Sequence, residues 1–407
     1  MHIVYVTSEF PGERKIGGLA TYVNNISAIM SAKGHKVTVL TLSDWKDSEY
    51  TLENGVKVIG VKIYHYKGKY FHKQKGEIQI VIDAWHIYKK LKLYVKSNKV
   101  DVVQSANIYG MGLFRTKVPT VVRISSDSIV YKEADKFIFD RKYFDGKFRF
   151  DDWMEYITEK RADAVFGPGN IIGSVVSKRI HRHVSIIESP FYMENLKEDE
   201  EIYQKKLSQK KYFLTHGSLH NLKGTKVVAE SLHRLLDKYK NIYFVFVGTD
   251  YKINKNGTTM SAVEYLKRAA KEYRERVIYL GALQKNQLVP VIKNAMACIL
   301  PGRIENLSNA CIEAMGLGKI VIATANAGYG QLITHRESGI LFKRDSPVAL
   351  EKAVDYFLAM DDTQKEKMEC MAQEIIGRLD AEHCYQKLLK LYETVIEGDE
   401  LYTRQKR

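Results

Sequence analysis

The segment RIENLSNACIEAMGLGK, residues 303–319, places two glutamates eight residues apart. Its periodicity predicts a helix capped by Ser308 or Asn306, and the free amides at such an N-terminus attract anions. Glu305, beside that positive end, can accept hydrogen bonds from a ligand's hydroxyls, and Glu313 also needs partners if it is buried. The pattern favours a site for hydroxyls next to a phosphate. The alternative is that Glu305 helps to cap the helix and Glu313 pairs with a surface lysine.

A second candidate element is GSLHNLKGT, residues 217–225, which follows one predicted strand and precedes a predicted helix. Gly217 and Gly224 lack a Cβ and permit a close approach of the backbone. Open α/β sheets bind ligands at the carboxyl ends of their strands, where we expect the Lys223 ammonium to lie. This loop therefore predicts a site for an anionic ligand, with Lys223 as its cation and Ser218 in the same loop.

A third element, GERKIGGLATYV, repeats the order strand, glycine loop, helix at residues 12–23. Gly17 and Gly18 allow backbone amides to approach a phosphate. Each glycine loop alone is more often a plain turn. Two of them, one in each half of the chain, favour a site for a diphosphate.

Short buried runs alternate with helix-length amphipathic segments along the chain, and their continuous hydrophobicity is typical of parallel strands covered on both faces. A hairpin is also predicted at the Asn54-Gly55 turn. The predicted strands are 2–7, 36–41, 56–63, 101–104, 120–124, 164–167, 212–217, 242–248, 276–281, 297–301, 319–324 and 339–342. This order predicts an α/β protein made of two Rossmann-like, doubly wound domains that face each other across a cleft.

We divide the chain by this pattern and by its composition. Residues 1–195 form the first predicted domain, 196–211 a charged linker and 212–380 the second domain. Residues 381–407 are predicted to form a helix that crosses back, with a frayed tail. A length of 407 residues also favours two domains.

The composition is that of a globular protein, with 45% hydrophobic and 11% aromatic residues. Four cysteines without CxxC spacing indicate buried thiols and a reducing compartment. No signal peptide or membrane-spanning run is recognisable, so we expect a cytoplasmic protein. The net charge of +15 indicates an anionic partner: nucleic acid, an acidic membrane surface or a phosphorylated substrate.

Several motifs of other enzyme classes are missing from the sequence. There is no Walker A motif, which argues against P-loop phosphoryl transfer. There is no G-x-G-x-x-G, and Gly316-Leu317-Gly318 follows a helix, where a C-cap is the favoured interpretation. No Asp-x-Asp pair occurs, which argues against a carboxylate-held metal. We expect neither a metal nor a cofactor.

These motifs together resemble the retaining glycosyltransferases of the GT-B fold, family 4, along nearly the whole chain. The opening with Gly-Gly and Gly34-His35-x-Val37 is similar to that family's opening. The most specific similarity is the E-x7-E segment ENLSNACIEAMGLGKIVIAT, followed by GYGQLI and SGILF.

The resemblance implies roles at the matching positions. Glu305 would hold the hydroxyls of the donor sugar, and Glu313 the ribose. Amides of Asn306 and Leu307 would face the diphosphate or sugar. Lys223 would neutralise the leaving diphosphate, a UDP or GDP, as Gly18 closes over it. Such a site places positive charge where negative charge develops, without a metal.

Three positions depart from the family pattern. Ser218 stands where an arginine usually follows Gly217, Ser125 stands where many members have histidine, and Gln331 replaces a glutamate. Arg123, on the acceptor or sugar side with Ser125, or Lys226 could substitute for a lost cation. The departures leave two alternatives open: a GT-B relative such as a sugar-nucleotide epimerase or glycosyl phosphorylase, or a non-catalytic nucleotide-sugar- or polyanion-binding protein.

The expected reaction is transfer of a hexose to a lipid-linked or polymeric glycan acceptor for a cell-surface polysaccharide. Two segments mix aromatic and basic residues, YHYKGKYFHKQKG (64–76) and RKYFDGKFRFDDW (141–153). Such mixing suits a peripheral contact with an anionic membrane at its inner face, or a single-stranded nucleic acid. The alternative is that both segments are solvated loops with a few packed rings. Because no RRM, KH or helix-turn-helix signature occurs, we expect no nucleic acid partner.

Overall fold

The structure is a computed structural model and describes residues 1–14, 17–65, 75–135, 150–191, 196–255 and 258–398. These residues form two compact units. The first contains the described residues up to 133, those of 150–191 and those from 380 onward, and the second contains 196–379. Within the described ranges, no helix has both the length and the apolar character needed to cross a lipid bilayer.

The first unit contains an eight-stranded sheet. In chain order its strands are β1 (His2–Thr7), β2 (Lys36–Ser43), β3 (Ser48–Thr51), β4 (Lys57–Lys62), β5 (Val102–Ala106), β6 (Thr120–Arg123), β7 (Ala164–Gly167) and β8 (Ser185–Ile186). They lie in the order β3-β4-β2-β1-β5-β6-β7-β8. All neighbours are parallel except β3 and β4, which form the predicted hairpin around the left-handed Gly55.

Helices cover this sheet: α1 (Gly18–Ala32), α2 (Lys75–Ser97), α3 (Ser128–Asp135), α4 (Phe150–Arg161), α5 (Asn170–Ile180) and, from the end of the chain, α13 (Ala381–Glu397). The predicted final helix is α13, and Asp380 caps it by accepting a hydrogen bond from the His383 amide at 2.6 Å. Its apolar residues recur at helical spacing and lie in the core around β1. The predicted frayed tail lies, from residue 399 on, outside the described residues.

The second unit contains a six-stranded, wholly parallel sheet and a separate hairpin. The sheet strands are β9 (Lys211–His216), β10 (Ile242–Val247), β13 (Val277–Tyr279), β14 (Ala297–Leu300), β15 (Val321–Thr324) and β16 (Ile340–Phe342), and the hairpin is β11 (Lys252–Lys255) with β12 (Thr258–Ser261). The sheet order is β13-β10-β9-β14-β15-β16.

Seven helices of this unit are described: α6 (Glu201–Lys206), α7 (Thr225–Lys238), α8 (Ala262–Ala269), α9 (Lys285–Lys293), α10 (Asn309–Gly316), α11 (Pro347–Ala359) and α12 (Asp362–Gly377). Every predicted strand is confirmed with ends that agree to within two residues, and two doubly wound parallel sheets are present as predicted. The segment 196–211, predicted as a linker, is more ordered than its charges suggest. It includes α6, and Lys293 forms an ion pair with Glu198.

Candidate active site

The E-x7-E segment folds as predicted into a loop, a helix and a C-cap. The Ser308 hydroxyl accepts a hydrogen bond from the Cys311 amide at 3.3 Å, so Ser308 is the N-cap of α10. The helix buries Cys311, Ile312 and Met315. It ends at Gly316, and Gly318 has the left-handed φ of +75° that a glycine after a helix commonly adopts. This geometry leaves the Glu305 carboxylate free of the capping role.

The Glu305 side chain is instead paired across two loops. It is only 5% exposed, and its Oε1 lies 2.5 Å from Lys223 Nζ. The Tyr329 hydroxyl donates to the same oxygen at 3.4 Å. The Glu305 amide donates to the Ala327 carbonyl at 2.7 Å, which fixes the backbone beneath the carboxylate. The structure therefore brings together the two residues that the sequence predicts as catalytic, while Tyr329 was missed.

Backbone contacts hold the Lys223 loop against the loop after β14. The Arg303 amide donates to the Leu222 carbonyl at 2.8 Å. Gly224 has φ of +72°, and a Cβ there would lie 1.9 Å from the Pro301 carbonyl oxygen. Only glycine permits this approach. Lys223, in the 3-10 turn just before it, stays 38% exposed beside the buried glutamate. The site thus has a cation that a ligand can reach.

Arg303 is a further cation that the sequence analysis missed. It is 4% exposed, its Nε lies 2.9 Å from Asp345 Oδ1, and Arg344 donates to its carbonyl at 3.4 Å. The signal available in the sequence was its position two residues before Glu305, the first glutamate of the motif.

Glu313 faces the end of β9. Its side chain is 24% exposed, and burial raises the pKa of its carboxyl above the ordinary range, against the attraction of Lys285. His216 Nε2 lies 3.8 Å from Glu313 Oε2. His216 was not singled out from the sequence, although a histidine that closes a buried apolar strand is an available signal.

We expect His216 to make the stability of the second unit depend on pH. Burial lowers the pKa of His216 to about 4, against a weaker opposing effect of the Ala310 backbone. Because the folded value lies below the unfolded value of about 6.5, this contribution is complete above pH 6.5 and is lost as pH falls towards 4. The loss between pH 7 and pH 5 is about 2 kcal/mol, or roughly 4–8 °C in Tm.

His216→Gln should remove most of that loss, which thermal melts of both proteins at pH 7 and pH 5 would show. The raised pKa of Glu313 acts in the opposite direction, so the comparison is between variants rather than between pH values alone. His233→Gln, at a surface histidine paired with Glu272, serves as the control. An equal pH dependence in wild type and His216→Gln would contradict the prediction.

The remaining predicted donor residues of this unit lie at the same edge of the sheet. Gly217 follows β9 with φ of +121° and donates to the Val247 carbonyl at 2.9 Å. Ser218 is half-buried next to it. Asn306 and Leu307 are 6% and 9% exposed, in the loop just before the cap. The suggested substitute cation Lys226 lies on α7, half exposed, 3.8 Å from Glu230.

In the first unit, the Gly-Gly loop leads into α1 as predicted. Gly17 is the last residue before the helix, and Gly18 is its first residue. A Cβ on Gly17 would lie 2.7 Å from the Glu9 carboxylate. The loop residues 15 and 16 lie outside the described residues, and the phosphate contact of Gly17 and Gly18 stays a prediction.

Arg123 and Ser125 lie together at the end of β6. Arg123 is 6% exposed, and its guanidinium stacks 3.7 Å from the centre of the Tyr22 ring. It donates to Ser125 Oγ and to Ser189 Oγ, both at 3.1 Å. Burial lowers the pKa of Arg123, against the influence of Tyr22. The guanidinium is therefore engaged within its own unit, and its role towards an acceptor stays a prediction.

Beside this pair lies a buried carboxylate cluster that the sequence did not reveal. Arg179 contacts Asp127 and Glu159, each at 2.6 Å, and all three are buried. Glu155 accepts from the Ser128 hydroxyl at 2.5 Å and from its amide at 2.9 Å. One guanidinium thus faces three carboxyl groups. Burial, with Asp127 nearby, raises the pKa of Glu155 to about 8.

We expect this cluster to destabilise the first unit as pH rises. Because the folded pKa of Glu155 lies above the unfolded value near 4.5, its contribution is complete below pH 4.5 and is lost through pH 8. The same direction holds for Glu159, whose pKa burial raises to about 7. Glu155→Gln, which resembles the protonated acid, should therefore flatten the loss between pH 6 and pH 8.

The Glu155 carboxyl alone accounts for a loss on the order of 1.4 kcal/mol per pH unit in the wild type. Thermal melts at pH 6, 7 and 8 measure it, with Glu53→Gln at the exposed β3–β4 turn as a control. The prediction is contradicted if the unfolding free energy that Glu155→Gln loses relative to the wild type is as large at pH 8 as at pH 6.

Both halves of the chain match known protein families. Residues 16–188 match the family described as Glycosyltransferase Family 4, and residues 197–374 match the family described as Glycosyl transferases group 1. The uncharacterized glycosyltransferase MJ1178 of Methanocaldococcus jannaschii is 21% identical over 385 residues, which are 93% of this chain and 95% of that protein.

Two solved structures share the fold. Sucrose-phosphate synthase from Thermosynechococcus elongatus has a TM-score of 0.75 at 16% identity and covers 98% of this chain and 100% of its own. HepE from Anabaena, solved in complex with UDP, has a TM-score of 0.67 at 13% identity and covers 97% and 100%. Because both halves match glycosyltransferase families and each unit has a doubly wound sheet, the chain belongs to the glycosyltransferases of the GT-B fold.

Proposed function

We propose that the protein transfers a hexose, with retention and without a metal, from a nucleotide sugar to a lipid-linked or polymeric glycan acceptor. The observation that carries this proposal is the Lys223–Glu305 pair beside the N-terminus of α10. An accessible ammonium, a buried carboxylate and outward amides form a set that binds a sugar diphosphate: cation for phosphate, carboxylate for hydroxyls.

Each residue then has one task. The Lys223 ammonium neutralises charge on the leaving diphosphate, and the amides near Asn306 and Leu307 assist it. Glu305 accepts hydrogen bonds from the sugar hydroxyls, and Glu313 from the ribose. The acceptor oxygen forms a bond to the anomeric carbon as the bond from that carbon to the phosphate oxygen breaks. The acceptor proton passes to the leaving phosphate, on the same face of the sugar.

The nucleotide we propose is UDP or GDP. Support comes from the Anabaena neighbour, whose structure was solved with UDP. The acceptor is proposed to belong to a cell-surface polysaccharide, with the enzyme in the cytoplasm or at the inner face of the membrane. The net charge of +15 supports an anionic acceptor or membrane. The aromatic and basic segments predicted to make that contact lie largely outside the described residues.

Thermal shift with UDP, GDP, ADP, CMP and their sugar conjugates tests the donor site. A ligand at a hundred times its Kd should stabilise the protein by about 2.7 kcal/mol. Stabilisation by one nucleotide family, lost in Lys223→Ala but kept in Lys240→Ala at a surface lysine paired with Asp237, is the expected result. A flat response to every nucleotide would overturn the proposal. Turnover of the sugar without an acceptor would favour the epimerase or phosphorylase alternative.

A further inference from the structure

The exposed face of helix α2 carries large apolar side chains. Trp85 is 41% exposed and Leu93 is 64% exposed, two turns apart on one side of the helix. The opposite side is buried in the core of the first unit through Ile87, Leu91 and Tyr94. These exposed side chains are therefore not needed to attach the helix to its sheet.

Aromatic rings broaden this face into a patch. Trp85 packs against Tyr88 with ring centres 5.4 Å apart and edge-on against Phe114 at 5.2 Å. Tyr88 and Phe114 are 5.7 Å apart. Phe114 comes from the loop before β6, so two elements of the first unit build the patch. The patch is a fixed feature of the folded unit and not a single solvent-exposed ring.

Lysines of α2 surround the patch, and no acidic residue of that helix stands among them in the sequence. Lys89 Nζ lies 5.6 Å from the centre of the Trp85 ring, and Lys92 Nζ lies 5.9 Å from that of Tyr88. Lys96 continues the same face one turn later and is exposed. From residue 84 to residue 99 the chain has no Asp or Glu. Glu49, on β3, lies near Lys90, which is on another side of α2.

We propose that this surface, formed by Trp85, Tyr88, Lys89, Lys92, Leu93, Lys96 and Phe114 and here called the α2 patch, docks on an anionic lipid bilayer. Aromatic rings prefer the headgroup level, and lysines beside them bind anionic headgroups. An exposed leucine can insert into the acyl region of a bilayer, whereas a nucleic acid offers it no comparable apolar contact. The proposal deepens the proposed function, since a lipid-linked acceptor lies in such a surface.

Vesicle binding tests this assignment with the full chain. Vesicles of phosphatidylcholine alone and vesicles of phosphatidylcholine mixed with anionic phosphatidylglycerol are sedimented with the protein. The wild type should bind the anionic vesicles at least tenfold more tightly, and high salt should weaken binding. Lys89→Ala/Lys92→Ala/Lys96→Ala and Trp85→Ser/Leu93→Ser should each lower binding about tenfold or more. The matched control is Val348→Ser/Lys352→Ala, with a 54% exposed valine on α11.

Brominated lipids give a second readout in a Trp45→Phe/Trp153→Phe background, where Trp85 is the remaining tryptophan. Its fluorescence should be quenched by anionic brominated vesicles. Equal binding of wild type and lysine variant, or loss in the control, would overturn the proposal. So would patch-dependent binding of a single-stranded oligonucleotide without vesicle binding. Nucleotide thermal shift should be unaffected by the patch variants, so failure here is distinguishable from failure of the proposed donor site.

Discussion

Glu305→Gln is expected to lower kcat for sugar transfer by about 10²- to 10³-fold, the range seen when one electrostatic contact to a developing charge is lost. The carboxylate is 5% exposed and lies 2.5 Å from the Lys223 ammonium. Glutamine keeps the shape of the side chain and removes its charge. The amide is a poorer acceptor for sugar hydroxyls and no longer positions the ammonium. The measurement is the rate of nucleotide release with donor and acceptor at saturation.

Loss of folding would not account for such an effect. Lys223 is 38% exposed, so water can solvate its ammonium when the carboxylate is gone, and we expect a change in unfolding free energy of only about 1 kcal/mol. Glu230→Gln is the matched control, because Glu230 is paired with Lys226 on α7 outside the site. Its kcat should equal that of the wild type.

A double-mutant cycle shows whether the two residues act as a unit. If Lys223 and Glu305 together stabilise the departing diphosphate, Lys223→Ala/Glu305→Gln should lose little more rate than the worse single variant. If the rate losses of the two single variants multiply in the double variant, the two residues act independently. An unchanged kcat in Glu305→Gln would leave a GT-B protein whose E-x7-E segment does not take part in catalysis.

The inner strands of the two parallel sheets were predictable because helices cover both faces of each sheet. Five of the six residues of β9 are buried, and its apolar run Tyr212-Phe213-Leu214 is recognised without any alternation. The cap of α10 was predictable for the same local reason: the choice between Ser308 and Asn306 involves only neighbours in sequence. The edge strand β3 alternates, and its hairpin was indicated by Asn54-Gly55.

The contacts of the site were less predictable, because they join residues far apart in the sequence. Lys223 and Glu305 could be assigned to one sheet edge, but their contact is made by the close approach of two loop backbones. The buried cluster of Asp127, Glu155 and Glu159 had no local signal, since two acids on α4 and one just before α3 look like surface residues until the fold brings them together. Charge patterns in sequence do not encode which acids share one arginine.

Gly224 is the position where the fold and the site depend most directly on one residue. Its φ of +72° is left-handed, and a Cβ would lie 1.9 Å from the Pro301 carbonyl oxygen and 2.5 Å from its carbon. Backbone atoms cannot rotate away as a side chain can. Gly224→Ala must therefore push the Lys223 loop off the loop after β14. It would also break the hydrogen bond between the Arg303 amide and the Leu222 carbonyl.

We expect Gly224→Ala to lower the stability of the second unit by about 3–5 kcal/mol, which combines left-handed strain of about 1 kcal/mol with a clash that the packed backbone cannot relieve. For a unit of this size the fall in Tm is roughly 8–15 °C. Nucleotide binding should weaken as well, because Lys223 moves with the loop. Scanning calorimetry with and without the nucleotide measures both effects.

Gly281→Ala separates the two causes. Gly281 belongs to the same unit and has a similar φ of +80°, but nothing lies within 4 Å of a Cβ placed there. The variant carries the left-handed strain alone, about 1 kcal/mol or roughly 3 °C. A fall in Tm for Gly224→Ala no larger than that for Gly281→Ala would show that the two loops can separate freely. The Lys223–Glu305 pair would then owe its geometry to its own charges and not to the backbone contact beneath it.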